Sequence, residues 1–341
     1  MKILITGGAG YIGSHVLKQL LKETNNEIIV IDNLSTGNIE ILDKLKTIRD
    51  FEFIKIDLKE FEEIENIFST NNISTVLHFA ASIVVYESIK NPIKYYLNNT
   101  NNTTNLIKCA AEHGVKKFIF SSTAAVYGNP INISQKGIEE NLETNPINPY
   151  GMSKLMSEKI IQDTARVYKD LKYVIFRYFN VAGADIYYEK ENLKPQIGQS
   201  FPEATHLIKI ASECASLKRD VVNIFGTDYN TYDGTGVRDY IHVDDLADAH
   251  IKAIDYLDEN PSDIFNVGYG HGYSVKEVLK TMKKVSGVNI KTVNTHRREG
   301  DPAILISNTK KLKSKMKWKP KYDNLEIICF SSYIWEKNLY I

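Results

Sequence analysis

Ile3-Leu4-Ile5-Thr6-Gly7-Gly8-Ala9-Gly10-Tyr11-Ile12-Gly13, near the start of the chain, is a short apolar run that stops at a glycine cluster and continues with a helical pattern. Read from Gly8 it is G-x-G-x-x-G; read from Gly7 it is G-x-x-G-x-x-G. Glycines at Gly7, Gly10 and Gly13 allow a tight strand-to-helix turn and a close approach of the backbone to a ligand. The free N–H groups of the helix start at Tyr11, Ile12 and Gly13 then face outward, where an anion is favoured by the helix dipole.

Outward from that turn, β-branched runs recur at Glu27–Ile31, Phe53–Ile56, Thr75–Phe79, Lys117–Ser121 and Tyr173–Tyr178, with helical patterns at Tyr11–Lys22, Glu60–Phe68 and Asn98–His113. Apolar strands alternating with helices predict a parallel sheet covered on both faces, a doubly wound α/β arrangement of the Rossmann type. The rhythm weakens after about residue 180, in a stretch holding Pro195, Gly198, Pro202, Gly226, Gly234 and Gly236. Helices are expected at Asp245–Leu257, Ser274–Ser286 and about Leu325–Lys337. The reading is a Rossmann domain over 1–180 and a smaller α+β lobe over 181–341. Segments around 236–268, Asp263–Val267 among them, are expected to return to the first sheet.

Composition narrows the function classes. The chain has 341 residues, 43% hydrophobic and 25% charged, enough for a large core without disulfides. Lys plus Arg (42) balances Asp plus Glu (42), so no overall attraction to nucleic acid or an anionic membrane exists. The run Lys310-Lys311-Leu312-Lys313-Ser314-Lys315 reads as a solvated helix face. The cysteines Cys109, Cys214 and Cys329 lack metal-ligand spacing and fit a reduced compartment. No apolar segment reaches the length of a membrane span, and a cytoplasmic location is expected.

Asp32 ends the second strand about twenty residues beyond the glycine turn, where a carboxylate can accept hydrogen bonds from both hydroxyls of an adenine ribose. It would repel a 2′-phosphate, so NAD is expected rather than NADP. Small residues at the ends of the third and fourth strands, Asp57-Leu58 and Phe79-Ala80-Ala81, leave room for a dinucleotide. The sharpest chemical pattern is Asn148-Pro149-Tyr150-Gly151-Met152-Ser153-Lys154. Asn148 is a good N-cap and Pro149 suits the first helical position, so Tyr150 and Lys154 share a helix face. A nearby ammonium and the positive nicotinamide ring would favour the phenolate, and each unit of pKa lowering is worth ~1.4 kcal/mol. Thr123, at the Ser121-Ser122-Thr123 strand end, adds a hydroxyl for the same substrate oxygen.

With these segments, and with Asp32-Asn33-Leu34, His78–Ala81, Tyr95–Asn99, Arg177-Tyr178-Phe179-Asn180, Asp233–Asp245 and Arg297–Asp301, the chain resembles the extended short-chain dehydrogenases/reductases. Within them it is similar to the 4-epimerases of UDP-glucose and UDP-galactose. The resemblance implies that Tyr150 is the acid/base, Lys154 its electrostatic partner and a ribose ligand, and Thr123 the third member. It places NAD against Tyr11, Ile12, Asp32, Asn33, Leu34, Ser35, Thr36, Gly37, Asp57, Leu58, Phe79, Ala80, Ala81, Asn98 and Phe179. A UDP-sugar would be lined by Asn180, His206, Leu207, Asn223, Ile224, Phe225, Arg238, Arg298, Asp301 and Leu305, with the guanidiniums suited to a diphosphate. It implies oxidation at C4, turnover of the 4-keto sugar and reduction on the opposite face, in a homodimer built on helices that include the one bearing Tyr150.

Ile83 stands where some epimerases carry lysine. Leu305, a mid-sized residue at the position limiting sugar size, leaves N-acetylated UDP-sugars open as substrates. A 4,6-dehydratase would need an Asp-Glu pair after the threonine, and Thr123 is followed by Ala124-Ala125. A non-catalytic NAD-binding protein would be expected to lack the tyrosine or lysine. His78 and His242 lie in expected strands and are not assigned to acid/base work. Asp244 and Asp245 read as an N-cap and first turn, and no metal is expected.

Overall fold

The computed structural model describes residues 1–130, 137–185, 196–201, 203, 205–298 and 301–339. Its centre is a seven-stranded sheet of β1 (Lys2–Thr6), β2 (Glu27–Asp32), β3 (Glu52–Lys55), β4 (Thr75–His78), β5 (Lys117–Thr123), β6 (Lys172–Tyr178) and β11 (Asp263–Val267). The order is β3-β2-β1-β4-β5-β6-β11, and every neighbouring pair is parallel. The crossing direction reverses between β1 and β4, where open α/β sheets form a crevice at their carboxyl ends.

Residue alternation explains why both faces are covered. Ile3 and Ile5 point into one core cluster, with Val30, Leu77, Ile119, Val174 and Phe176. Leu4 points into the other, with Ile29, Ile31, Val76, Phe118, Phe120 and Ile175. Each such side chain, removed from water, contributes ~1.5–3 kcal/mol. Helices α1 (Tyr11–Glu23) and α2 (Ile39–Lys46) supply Leu17, Leu20 and Leu42 to the first cluster. Helices α3 (Phe61–Thr70), α6 (Asn102–Glu112) and α7 (Pro149–Val167) supply Ile64, Leu106 and Ile161 to the second.

Between β4 and α6 the chain forms α4 (Val85–Lys90), α5 (Pro92–Tyr95) and a π-helical turn, Tyr96–Asn101. The helix expected from Asn98 therefore begins irregularly. Small strands follow β6: β7 (Asn180–Ala182), β8 (Val222–Phe225), β9 (Val237–Arg238), β10 (Tyr240–His242), β12 (Tyr273–Ser274), β13 (Thr292–Thr295) and β14 (Ile304–Leu305). They pair as β10-β7, β12-β9-β14 and β13-β8, beside α8 (Leu207–Ala215), α10 (Val275–Ser286), α11 (Lys310–Lys315) and α12 (Leu325–Asn338). Helix α9 (Val243–Glu259) packs against α1, β5 and β6, so it covers one face of the main sheet, to which β11 then adds the edge strand beside β6.

The N-cap of α9 is His242, whose Nδ1 accepts from the Asp244 N–H at 3.1 Å, and not Asp244 as the sequence suggested. Asp244 instead pairs with the buried Lys18, which also meets Asp185. Cys109, Cys214 and Cys329 are buried thiols. Among the described residues no helix is long and apolar enough to cross a membrane, and no group of acidic, histidine or cysteine side chains could hold a metal ion.

Candidate active site

The glycine turn sits at the crevice. Gly7 has φ +72°, its N–H donates to the Ile31 carbonyl at 2.8 Å, and a Cβ there would lie 2.6 Å from the Ala80 nitrogen. A Cβ at Gly13 would lie 2.3 Å from the Gly7 carbonyl oxygen. These contacts let the first turn of α1 approach the ends of β1 and β4. Gly10 caps α1 without a side-chain hydrogen bond, and its first turn holds no acidic residue. The N–H groups there are thus presented to an anion without a competing carboxylate.

Asp32 ends β2 beside this turn. Its Oδ2 accepts from the Ala9 N–H at 3.0 Å and its Oδ1 from the Leu34 N–H at 2.8 Å. Burial raises its carboxyl, and the two N–H groups pull it back. A carboxylate has about four acceptor sites, so acceptor capacity remains for two ribose hydroxyls. The loop behind it is pinned by Asn38 N–H on the Ala9 carbonyl, places Gly37 against Asp32, and bears exposed Asn33, Ser35 and Thr36. Leu34 adopts φ +61°, an uncommon backbone for a branched residue. Asn33 Nδ2 donates to Asp57 Oδ2 at 2.8 Å, tying the ends of β2 and β3. These features fit a dinucleotide.

Other expected contacts are placed less simply. The Leu58 side chain belongs to the second core cluster, Ile12 packs on the first, and Phe79 meets the His250 ring at 5.0 Å. The Tyr11 hydroxyl donates to the Gly183 carbonyl at 2.6 Å. Ala80 and Ala81 are half-buried where the loop leaves β4. Asn98 Nδ2 donates to Ser82 Oγ at 3.0 Å. Its neighbour Asn99, which sequence reasoning passed over, is buried and does more. Its amide donates to the Ser82 carbonyl (3.0 Å) and Ser153 Oγ (3.1 Å) and accepts from the Ser82 N–H (2.8 Å). The π-helical turn thereby holds the loop after β4 against α7.

Helix α7 begins as its sequence requires: Asn148 Oδ1 accepts from the Gly151 N–H at 2.8 Å, and Pro149 takes the first position. A Cβ at Gly151 would lie 2.7 Å from the Ala125 carbonyl oxygen, so α7 presses closely on the segment after β5. This brings together Thr123, Tyr150 and Lys154. The Thr123 hydroxyl hydrogen-bonds the half-buried Tyr150 phenol. Thr123 Oγ1 also accepts from the Ala125 N–H at 3.1 Å. Lys154 is 3% exposed, donates to the Ser121 carbonyl at 2.8 Å and lies 4.9 Å over the Phe120 ring.

The protein's own charges do not make the phenol acidic. Burial raises Tyr150, with only the Thr123 hydrogen bond opposing it. Burial likewise pushes the Lys154 ammonium down to about 7, against the pull of Glu158. His78, below Lys154, is buried and held down to about 3 by burial and by the lysine charge. Thr103 O–H donates to the Asn99 carbonyl (2.6 Å), so Thr103 Oγ1 accepts from His78 Nε2 (2.8 Å), and Nδ1 accepts from Thr6 (2.7 Å). A neutral imidazole so engaged is a structural group.

In the C-terminal part, Arg238 forms an ion pair with Asp301 and donates to the Val237 carbonyl at 2.8 Å. Arg298 lies 3.7 Å over the Phe225 ring. Asn223, Ile224 and Phe225 lie in β8; Ile224 is buried and Asn223 exposed. His206 caps α8, its Nδ1 3.3 Å from Gln199 Nε2, and Leu207 packs on the core. Leu305 pairs in register with Arg238 and packs on a small cluster of Ala124, Val126, Tyr127, Ile138 and Phe179. That contact links β14 to the chain immediately after Thr123. Asn180 donates its N–H to the Asp239 carbonyl at 2.9 Å. Ser122, Tyr127, Glu158 and Arg177 were not assigned to the site; the one signal was Arg177, a charge within an otherwise apolar run.

A doubly wound sheet with this turn and this threonine, tyrosine and lysine defines a class: the chain belongs to the NAD dependent epimerase/dehydratase family, whose model matches residues 3–268. Among proteins it is similar to is a UDP-glucose 4-epimerase of Halalkalibacterium halodurans, 44% identical over 99% of this chain and 96% of that one. The UDP-Glc/GlcNAc 4-epimerase of Campylobacter jejuni is 53% identical, with a TM-score of 0.85 over 98% of this chain and 99% of that one. A UDP-glucose 4-epimerase of Bifidobacterium longum, solved with NAD+ and UDP, is 36% identical, with a TM-score of 0.90 over 99% of each chain.

Proposed function

We propose that the protein interconverts UDP-galactose and UDP-glucose with NAD held at the glycine turn and Asp32, in a site divided between residues 1–180 and the lobe of 181–341. The observation that carries this reading is the meeting of Thr123, Tyr150 and Lys154 at the end of β5. Tyr150 takes the proton of the sugar 4-hydroxyl and later returns it; Thr123 holds the same oxygen. Bound NAD supplies a hydride acceptor and then a donor, and its positive ring favours the phenolate. Lys154 would add positive charge near the phenol and help to hold the ribose. Arg238 and Arg298 hold the diphosphate, so the oxidised sugar stays tethered while its ring turns to present the other face. The family relationship, and the relatives' names, support the substrate class.

A second activity on UDP-N-acetylglucosamine is favoured by Leu305 and by the similarity to the Campylobacter jejuni enzyme. Purified protein given either UDP-galactose or UDP-N-acetylgalactosamine, with no added NAD, is expected to convert both. Leu305→Tyr is expected to lose the N-acetylated substrate selectively. Absence of UDP-glucose in protein that retains NAD contradicts the first reading; equal loss on both sugars contradicts the second.

The oligomer we infer is a homodimer, in the cytoplasm. Tyr86, Ile89, Ile93 and Leu97 are exposed along α4, α5 and the π-helical turn, which pack on α7, itself exposing Met156. Light scattering that returns the mass of a single chain contradicts it.

A further inference from the structure

Two turns along α7 from Tyr150, and one from Lys154, Glu158 is wholly buried (0% exposed). Spacings of four and eight residues keep all three on neighbouring parts of one helix surface. Glu158 Oε2 accepts from Arg177 Nη2 at 2.7 Å, and Oε1 accepts from Arg177 Nε at 3.1 Å and from the Ser122 hydroxyl. Arg177, 3% exposed, spends its remaining donor Nη1 on Tyr127 Oη (2.9 Å) and the Glu140 carbonyl (3.1 Å). Tyr127 in turn donates to Asn266 Oδ1 at 2.7 Å. Ser122 and Arg177 face each other in the β5–β6 register, and Ser122 lies between Ser121, which receives the Lys154 amine, and Thr123.

A buried pair of this kind is weak evidence of a contribution to stability. Taking two charges out of water costs several kcal/mol per ion, and neutral replacements of buried pairs are often as stable or more so. What the pair does have is position: it joins the helix of Tyr150 and Lys154 to β5, which presents Thr123 and Ser121, and to its neighbour β6. Small misplacements of reacting groups, near 1 Å, cost on the order of a hundredfold in rate.

We propose that the Glu158–Arg177 pair is a positioning device for Tyr150 and Lys154, clamping α7 to β5 and β6 and balancing the charge in which the phenol and the amine ionise. This rests on the assignment of Tyr150 and Lys154 to the chemistry. The other groups facing them are few. From β4 comes the neutral His78. From β6 comes Tyr178, whose O–H reaches His250 at 2.6 Å. Tyr95 meets the Tyr150 ring edge-on at 6.4 Å and is itself bonded to Glu87, which pairs with Lys94 outside. Glu158 is the anion that acts on the Lys154 ammonium, raising it against burial.

The test uses intact holoenzyme with UDP-galactose, after NAD content has been measured in each variant. Glu158→Gln leaves the Arg177 charge unbalanced, which favours the phenolate and disfavours the ammonium. Both limbs of the pH–turnover profile, and the ultraviolet titration of Tyr150, are expected to move to lower pH by about one unit. Arg177→Met leaves the carboxylate unbalanced, and both are expected to move to higher pH by a similar amount. The double variant removes both charges; its profile is expected at the wild-type position, with turnover about tenfold lower or worse for want of the clamp. Should a single variant lose NAD or its fold, the double variant decides. Wild-type turnover in it, or unmoved profiles in both singles, overturns the proposal. Tyr150→Phe is assayed beside them: activity retained there removes the underlying assignment, whereas an inert Tyr150→Phe with unmoved profiles removes only the role of the pair.

Discussion

Tyr150 is a phenol that the fold itself makes a weaker acid, since burial outweighs the one hydrogen bond from Thr123. On the proposed mechanism its usefulness as a base comes from positive charge brought to it, a role proposed for NAD and for Lys154, whose ammonium burial holds down to about 7. Tyr150→Phe removes the proton carrier and leaves the glycine turn and Asp32 intact. Turnover is expected to fall by roughly 10²–10⁴ with NAD still bound, measured as UDP-glucose formed per NAD-loaded protein. Loss of NAD together with activity would mean that the hydroxyl serves binding instead. The sequence made these residues legible because Asn148 and Pro149 announce the helix start and the four-residue spacing does the rest. It did not reveal Asn99, Glu158 or Arg177, because a polar residue does not name its partner: Arg177 meets Glu158 only once β6 and α7 are packed.

Elements with local punctuation were read correctly from the chain. Helix α10 carries a complete capping box, Ser274 with Glu277, and ends at Gly287 with φ +72°. Helix α7 has its Asn-Pro start. Asn148→Ala should therefore cost about 1 kcal/mol of stability, seen as a lower denaturant midpoint at unchanged slope. An unchanged midpoint would show that the Asn148 bond to the Gly151 N–H is replaced by water without loss. The region from α4 to the π-helical turn was illegible for the opposite reason. Its apolar side chains, among them Ile89, Ile93 and Leu97, are exposed in one chain, so the 3.6-residue pattern has no buried face to report. The turn itself is held by Asn99 and Thr100 bonding to Ser82 and to Ser153. His242 replaced Asp244 as the cap of α9 because the aspartate is drawn instead to the buried Lys18.

Across the whole molecule, continuous apolar runs alternating with helical patterns foretold a parallel sheet covered on both sides, and Ile3, Leu4 and Ile5 divide between the two cores accordingly. The small sheets after Asn180 were not foretold, being two to four residues long and held by distant partners. Burial also gives the protein an acid sensitivity. His78 is held down to about 3, and His242 and His250 to about 4, chiefly by burial. Each is neutral in the folded protein but takes up a proton near its ordinary value of 6.5 when unfolded. Their contribution is complete above about pH 6.5 and is lost as pH falls from there toward 4, by up to ~1.4 kcal/mol per pH unit for each histidine. Chemical denaturation at pH 7 and pH 5 should show a lower midpoint at pH 5; equal midpoints would contradict the neutral assignment.

On the proposed mechanism one site removes a hydride from C4 and returns it to the same carbon, with Tyr150 carrying the proton. UDP-galactose deuterated at C4, incubated with the purified protein and no added cofactor, tests this directly by mass and proton spectra of the product. The expected product is UDP-glucose with the deuterium still at C4. Product formed with the label lost to water would contradict it.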